Sequence, residues 1–591
     1  MKKTLSDTFQ FLPYPRFPMP GGGFGLQVKK DASLSGEATL LGRSFGGVFS
    51  YSVENGQASF VRKIIAYDTP LGEFSFSDSS FTRIIADGSI LIEHAERIEE
   101  EGRLIVFSKT EGGILTARSF FPCTYAPGIM EKIEIQSPTA VSLSLAFDDW
   151  TGVSGNLAFG GALCDENGRY MKDFPNGSER ILPVGGYTCF YIFWYIHPAE
   201  SDFVVDGRIE DARRISLVDG GKSALRLITP DPNYNSAFAH SLLNMRQSVV
   251  GVDTAGAFAL SSLDDYLSAG IREQIFLSAP IYACMGDERG VAQLINSLNR
   301  ISAELKELRE KKAKNKFVTK IPIEGRAVVG QDMGESAYYV GGIARSLLSL
   351  GSAPFCRAYY PDLTYALSCC KEKIGKDGLL KIKGKTDGEV CFAAYLGFYY
   401  TALLADQLGE RTDSIRFAYF AEELKEAMIE HKVYLPFSLA LGCAEVGVED
   451  FENGRFSDIE KMSIIKALFL ARKEHAEGVL QIFTEKCMIL NKVIGAGDKG
   501  VAHAYLSACY ADVFLSGVLG FRPLTFTSFS LTPFLSEALG RVRLEGLWIY
   551  GHTFDLEIED NAVALFDEYD KLVFRKEFEK GETVVVSLEK K

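Results

Sequence analysis

Carboxylates recur at the starts of predicted helices in the middle of this 591-residue chain, and their spacing could support acid–base chemistry. They are Asp332, Glu335, Asp387, Glu389 and Asp498, with Gln331 beside the first of them and His503 shortly after the last. Cleavage of an acetal needs one carboxylic acid to protonate the leaving oxygen and an opposing carboxylate to activate water or attack the sugar. Burial or a like-charged neighbour raises the pKa of the acid and keeps it protonated near neutral pH.

Further candidates lie outside these loops. Arg272 and Glu273 follow another long connection, and Tyr338 lies on the helix that begins near Glu335. Trp150 ends a predicted strand and could stack on a sugar, although a core indole is an equal alternative. These residues are candidate substrate contacts.

Each candidate also has a purely structural interpretation. Asp and Glu at helix starts serve as N-caps and interact favourably with the helix dipole. Arg272 and Glu273 could form a plain salt bridge, His503 could be a packed core histidine, and Tyr338 could belong to a helix interface. A catalytic role therefore depends on whether the fold brings these side chains together.

Composition narrows the class of protein. The chain is 47% hydrophobic and 24% charged, which is typical of a soluble globular protein. Its net charge of −14 argues against binding to nucleic acid or to an anionic membrane, both of which require clustered Lys and Arg. We therefore expect neither a nucleic-acid nor a membrane partner, and we expect a monomer or homodimer.

The N-terminus and the cysteines favour a cytoplasmic protein. Lys2 and Lys3 resemble the start of a signal peptide, but Ser6 and Asp7 interrupt the apolar run that should follow. The apolar stretch 187–196 is about half of the ~20 residues that a membrane span needs. The 11 cysteines show neither CxxC nor zinc-ligand spacing, so we expect free thiols and no metal or other cofactor.

The hydrophobic pattern divides the chain into three segments. Residues 24–228 alternate with the period of strands, and we expect an N-terminal antiparallel β-sandwich domain over 1–229. Residues 234–520 have helical spacing and predict a helical domain over 230–522. Strands return from Arg541, which predicts a small C-terminal β-domain over 523–591. The predicted helices are 234–250, 270–285, 288–314, 334–350, 355–374, 388–408, 411–431, 435–446, 458–474, 476–490 and 501–519.

Loop lengths between these helices suggest a toroid. Tight turns such as SLGSAP and LGER alternate with long connections such as KIGKDGLLKIKGKTDGE. Short turns join antiparallel helix pairs. If the helices alternate between an outer and an inner ring, most long loops lead into inner helices and gather on one rim, where their carboxylates would surround a cavity.

Several motifs, in this order, resemble the six-hairpin (α/α)6 glycosidases, which include glucoamylase-like, trehalase-like and maltose-phosphorylase-like enzymes. PDPNYNSAFAHSLLNMRQ resembles the opening helix of the barrel. DDYLSAGIREQ resembles the hairpin in which the family typically has a Trp-Arg-Asp substrate contact. Arg272 matches the Arg of that motif, whereas Glu273 stands in place of the Asp and Gly270 in place of the aromatic residue. VGQDMGESAYYVGG resembles the Gln-x-Asp-x-x-Gly type of helix start, with Gln331 and Asp332 adjacent.

The resemblance implies roles for the candidate residues. The loop before helix 388–408 often holds the general acid, and Asp387 and Glu389 occupy it here. The general base often lies near the last helix, where Asp498 is the best match and Glu485 is the reserve. The passage LTPFLSEALGRVRLEGLWIYGHTFDLEIE resembles the segment that leads out of the barrel, although its second Pro is replaced by Leu535.

The resemblance leaves three functions open, because one barrel hosts several reactions. The first is an exo-acting, inverting glycoside hydrolase with Glu389 or Asp387 as acid and Asp498 as base. The second is an inverting phosphorylase, in which phosphate replaces the base and water and requires cations on the rim. The third is a non-catalytic glycan-binding or structural relative that has lost its carboxylate pair. The altered first-hairpin motif and the presence of only three tryptophans argue against catalysis.

Overall fold

The computed structural model describes most of the chain, and the chain divides into two compact units. The first is mainly Met1–Gly220, and the second consists of Gly221–Val249, Asp253–Gly495 and His503–Lys591. The described residues are 25–27, 34–42, 45–66, 73–76, 82–100, 102–124, 126–146, 152–154, 157–164, 179–198, 205–223, 225–252, 256–259, 268–322, 325–489, 504–535, 539–559, 561–579 and 581–588.

Antiparallel sheets form the first unit. An eight-stranded sheet has the order β1-β8-β9-β10-β11-β16-β14-β13, and two four-stranded sheets have the orders β2-β3-β4-β5 and β15-β12-β6-β7. The strands are β1 Gly25–Gln27, β2 Leu34–Leu41, β3 Phe45–Glu54, β4 Gln57–Ala66, β5 Glu73–Phe76, β6 Arg83–Ala86, β7 Ser89–Ile90, β8 His94–Glu100, β9 Leu104–Lys109, β10 Leu115–Pro122, β11 Gly128–Gln136, β12 Val141–Ala146, β13 Gly152–Ser154, β14 Leu157–Leu163, β15 Arg180–Leu182 and β16 Tyr187–Pro198.

Side chains from different sheets share one core, as the sandwich prediction requires. The ring of Phe120 on β10 lies 5.6 Å from that of Phe49 and 4.9 Å from that of Phe60, centroid to centroid. Alternate residues along these strands point into this core because side chains alternate between the two faces of a strand. The N-terminal part of the fold-class prediction is thus confirmed.

One helix lies where only strands were expected. Helix α1 spans Gly207–Ser223, inside the segment 24–228 that was predicted to be all strand. Its buried positions include Glu210, Asp211 and Arg214, so its inner face carries charge instead of an apolar stripe. Arg103 pairs with Asp211 at 2.5 Å between Nη1 and Oδ1. A helix whose buried face is charged has no apolar periodicity by which to be recognised.

Helices dominate the second unit, and most of the predicted helices are confirmed. They are α2 Pro232–Ser248, α3 Ala279–Tyr282, α4 Glu288–Glu310, α5 Glu335–Leu350, α6 Ala353–Glu372, α7 Gly388–Leu408, α8 Arg411–His431, α9 Leu435–Ala440, α10 Val448–Asn453, α11 Asp458–Leu470, α12 Ala476–Ile489 and α13 Ala504–Asp512. The predicted helices 270–285 and 501–519 each contain a π-helical segment, at Arg272–Ser278 and Val513–Val518. The short helix α10 was missed.

The two central helices α5 and α7 have clear end signals. Asp387 caps α7 by accepting a hydrogen bond from the Val390 backbone N–H at 3.1 Å. Gly409 ends α7 and Gly351 ends α5 with φ of 83° and 67°, a conformation that favours glycine. By length and hydropathy α7 could cross a membrane, but 61% of its apolar window is buried inside the structure, as in a core helix.

Short strands complete the second unit. Within the helical part they are β19 Gly256–Ala259, β20 Ser268–Gly270, β21 Lys316–Pro322, β22 Val328–Gln331, β23 Lys381–Ile382 and β24 Lys385–Thr386. Strand β18, Val249–Val252, has its last three residues in the first unit. The C-terminal sheets have the orders β17-β27-β28-β29-β30 and β25-β26-β31. Their strands are β17 Arg226–Ile228, β25 Arg522–Pro523, β26 Ser528–Leu531, β27 Arg541–Ile549, β28 His552–Glu559, β29 Ala562–Asp567, β30 Leu572–Glu577 and β31 Val584–Ser587.

The C-terminal sheets share the second unit with the helices. Leu227 of β17, which precedes the helices, pairs with Leu544 of β27, which follows them. Antiparallel sheets, a helical region and antiparallel sheets again follow one another along the chain, as predicted. The boundaries of three separate domains remain a prediction.

Candidate active site

Three predicted site residues meet at the N-terminal ends of helices in the second unit. Arg272 donates from Nε to Glu389 Oε2 and from Nη2 to Glu389 Oε1, both at 2.8 Å. The hydroxyl of Tyr338 donates to Glu389 Oε2 at 3.2 Å. A two-pronged arginine–carboxylate contact is among the strongest and most directional polar contacts in proteins. Glu389 is therefore held in one orientation, with its side chain 20% exposed.

Local backbone features bring these side chains together. Arg272 begins the π-helical segment, and segments of this kind occur often at functional sites. Helix α5 presents Gly341 and Gly342 to its neighbours, where an added Cβ would lie 2.6 Å from Ala393 O and 2.1 Å from Ile275 O, respectively. Only glycine permits so close an approach. The glycine pair thus lets the Arg272 segment and the Glu389 helix pack against α5.

Glu389 lines a cavity that we call the Glu389 cavity, with about 620 Å³ of empty space. Phe276, Phe392 and Tyr434 supply aromatic walls, and the rings of Phe392 and Tyr434 stack at 5.3 Å. Arg345, Lys466 and Asp512 line the same cavity. An apolar cavity with a few convergent polar groups has the character of a small-molecule site.

Arg345, Lys466 and Asp512 form a partly buried cluster that sequence reasoning missed, here named the Asp512 cluster. Asp512 Oδ1 lies 3.0 Å from Arg345 Nη2, and its Oδ2 lies 2.7 Å from Lys466 Nζ. The hydroxyl of Ser516 donates to Oδ1 at 2.5 Å. Each of the three residues is a charge in an otherwise apolar stretch of helix. Because a buried charge needs a partner, this pattern could have indicated that the three side chains meet.

Burial and charge act in opposite directions on the pKa values of these groups. Burial alone would raise the pKa of Asp512, but Lys466 and Arg345 hold it well below its ordinary value. Burial alone would lower the pKa of Arg272, but the Glu389 carboxylate raises it above the usual value. Burial raises the pKa of Tyr338, and Glu389 raises it further. Tyr338 therefore remains a hydrogen-bond donor at neutral pH.

Three other predicted residues do not line the Glu389 cavity. Asp387 is exposed, and its carboxylate caps α7, so the capping interpretation accounts for its position. Glu273 Oε1 lies 3.5 Å from Arg272 Nη1. Gln331 ends β22 and is exposed. Of the two acid candidates, Glu389 alone lines the cavity.

Asp332 and Glu335 have structural contacts. Asp332 accepts from the backbone N–H of Gly334 and of Ser336 at 3.1 and 3.2 Å and forms an ion pair with Lys373. Burial alone would raise its pKa, but Lys373 and these hydrogen bonds hold it below the usual range. Glu335 accepts from the Met333 backbone N–H, and burial raises its pKa. Neither residue lines the Glu389 cavity.

Asp332→Asn should destabilise the protein by about 3 kcal/mol, the scale of removing one partner from a buried ion pair. Asn can still cap the helix, so the loss isolates the charge and leaves Lys373 unpaired. Because the folded-state pKa of Asp332 is lowered, this stabilisation is present above its unfolded pKa and is lost as the pH falls through the folded value. The measurement is urea unfolding at pH 7.

The matched control is Asp377→Asn. Asp377 pairs with Lys381 in an exposed contact, with side chains 34% and 30% accessible, so its loss should cost below about 1 kcal/mol. Equal stability losses in the two variants would show that burial does not strengthen the Asp332 contact.

Three predicted residues lie outside the described part of the chain: Asp498, His503 and Trp150. Their roles as base, substrate contact and sugar platform stay predictions. In the described residues no group of three His, Cys, Asp or Glu side chains is arranged to hold a metal ion.

Comparison with solved structures identifies the fold. No protein-family model matches the sequence, and no curated protein matches it. A structure named "Putative kojibiose phosphorylase from human microbiome" superposes with a TM-score of 0.51 at 10% identity, over 93% of this chain and 96% of that chain. A bacterial glucoamylase complexed with acarbose superposes with a TM-score of 0.45 at 9% identity, over 83% of this chain and 94% of that chain.

The chain therefore has the six-hairpin (α/α)6 glycosidase fold with flanking β-sheets, as the motif order predicted. This fold is shared by glycoside hydrolases and phosphorylases. At such low identity the likeness concerns the fold alone.

Proposed function

We propose that the protein is an exo-acting, inverting glycoside hydrolase with Glu389 as its general acid. One observation carries the proposal: the Glu389 carboxylate lies on the wall of an aromatic cavity and is fixed there by Arg272 and Tyr338. A catalytic group must be held in one orientation relative to the bond that it cleaves. Glu389 meets this requirement, and the fold is one on which such reactions occur.

Proton donation requires a change at Glu389. Both of its oxygens accept hydrogen bonds, whereas a carboxylic acid donates from one of them. The resemblance to the six-hairpin glycosidases implies that Arg272 contacts the substrate. We infer that a bound sugar draws the guanidinium away from Glu389, which allows the carboxyl group to take up a proton.

The base of the proposed reaction is Asp498, which the resemblance matches to the general base near the last helix. Asp512 lines the same cavity as Glu389, but two cations and Ser516 bind its oxygens. Its lowered pKa makes it a weak base. We therefore assign Asp512 to the positioning of Arg345 and Lys466.

Phosphorolysis is the second candidate, and those two cations favour it. Arg345 and Lys466 line the Glu389 cavity together with the hydroxyl-bearing Ser463. Cations and hydroxyl groups are suited to binding phosphate, which replaces the base and water in an inverting phosphorylase. The matched structure named as a kojibiose phosphorylase is consistent with this alternative.

The test is a screen of aryl glycosides and oligosaccharides, with and without inorganic phosphate. Release of free sugar without phosphate supports the hydrolase, and release of a sugar 1-phosphate only with phosphate supports the phosphorylase. Sugar binding without turnover across the panel would overturn both and favour a glycan-binding protein.

Two further properties belong to the proposal. We propose a cytoplasmic protein that acts as a monomer or homodimer. Free thiols support a reducing compartment, since the neighbours Cys369 and Cys370 are buried and form no disulfide.

A further inference from the structure

A second and larger cavity adjoins the Glu389 cavity in the same unit. It contains about 1330 Å³ of empty space, and we call it the tyrosine cavity because Tyr395, Tyr399, Tyr400 and Tyr434 line it. The residues that line both cavities are Arg345, Phe392, Leu396, Tyr434, Ser463 and Lys466. A ligand in one cavity therefore lies next to a ligand in the other.

One face of helix α7 builds the aromatic wall. Phe392, Tyr395, Leu396 and Tyr399 follow the i, i+3, i+4, i+7 spacing of a single helix face and are only partly buried, whereas most of the other α7 side chains are buried. Tyr395 and Tyr399 stack at 6.3 Å. At a rise of about 1.5 Å per residue, this wall extends about 15 Å from Glu389 to Tyr399. Aromatic faces of this kind offer flat apolar surfaces beside polar hydroxyl groups.

The charge of the lining is positive. Arg345, Lys466 and Arg522 line the tyrosine cavity, and none of its described lining residues is Asp or Glu. Asp512, outside this lining, can balance one of the positive charges of Arg345 and Lys466. Among the described residues no carboxylate forms an ion pair with Arg522, which is exposed. Burial raises the pKa of Tyr395, another lining residue, to about 12, and the positive charge of Arg522 opposes that rise.

We propose that the tyrosine cavity binds a sugar ring that carries an anionic group, with Arg522 as the anion contact and the tyrosines against the ring. Arg522 has no carboxylate partner among the described residues and can select an anion, and the aromatic wall and the hydroxyl groups of Ser463, Ser516 and Thr532 suit a polar ring. The inference deepens the proposed function, on which it rests for the choice of a carbohydrate. It makes an anionic sugar unit part of the substrate.

The test is titration calorimetry of the full chain with four probes: glucose 6-phosphate, glucuronate, glucose and inorganic phosphate. We expect at least one charged sugar to bind about tenfold or more tightly than both glucose and inorganic phosphate, the scale of one hydrogen bond to a charged group. The first two probes distinguish a phosphate ester from a carboxylate. Arg522→Gln should weaken the binding of that charged sugar by about tenfold and leave the binding of glucose unchanged.

Two variants serve as controls. Arg455→Gln removes another exposed arginine, from the loop before α11, and should leave all affinities within about twofold. Glu389→Gln should retain binding of the charged sugar, so a failure of catalysis and a failure of this inference are distinguishable. Equal affinities for glucose and both charged sugars would overturn the inference. It would also be overturned if Arg522→Gln left the affinity for the charged sugar unchanged, or if inorganic phosphate bound as tightly as the charged sugar.

Discussion

We expect Glu389→Gln to turn over a cleavable glycoside at least about 10²-fold more slowly than the wild type, the lower end of general acid–base catalysis. Gln has nearly the shape of Glu, and its amide oxygen can still accept from Arg272 or Tyr338. It cannot deliver a proton to the leaving oxygen. The loss should therefore appear in kcat, while substrate binding changes little.

Two matched variants test whether the loss belongs to Glu389 itself. Asp387→Asn keeps an oxygen that can cap α7, and Glu445→Gln changes a side chain that is 86% exposed. Both should retain turnover within about threefold, because they remove no proton donor from the cavity. If Asp387→Asn were inactive and Glu389→Gln active, the general acid would be Asp387 and not Glu389.

The largest effect on stability is expected for Asp512→Asn, at about 3–5 kcal/mol of lost unfolding free energy. Asp512 lies between Arg345 and Lys466, so its neutralisation leaves two partly buried cations without their anion. Because its pKa is lowered in the folded state, its stabilisation is present above the unfolded pKa of about 3.9 and is lost progressively as the pH falls below that value. Urea unfolding at pH 7 and at pH 3 measures both effects.

A double variant separates the charge effect from a packing defect. Lys466→Met removes one of the two cations and keeps an apolar chain of similar length. In the Asp512→Asn background it should recover part of the lost stability, since fewer unpaired charges remain buried. Additive destabilisation by the two substitutions would contradict a charge-pairing role for the cluster.

Much of the fold was predictable because its elements have strong periodic patterns. Helices α7 and α8 lie at the predicted bounds, since α7 begins after a capping Asp387 and ends before Gly409. Helix α1 was not predictable in this way, because Glu210 and Asp211 occupy its buried face. The π-helical turn at Arg272 also has no sequence signature in the periodicity of apolar residues.

The candidate site was predictable only in part. The motif order and the toroid argument brought Arg272, Tyr338 and Glu389 to one place, and the structure joins them by hydrogen bonds. Asp332 belongs to a helix cap and an ion pair, which its position before a helix equally allowed. The Asp512 cluster joins residues at least 46 positions apart, and only packing of the barrel reveals such contacts.

The central claim, cleavage of a glycosidic bond with Glu389 as the acid, is tested most directly by proton NMR of one substrate from the screen. Wild-type protein and Glu389→Gln are incubated with it in phosphate-free buffer, and the first-formed anomer is recorded. We expect the wild type to release sugar with the anomeric configuration opposite to that of the substrate, and the variant to release almost none. Equal release by both proteins would contradict the claim, and a retained configuration would contradict the inverting mechanism.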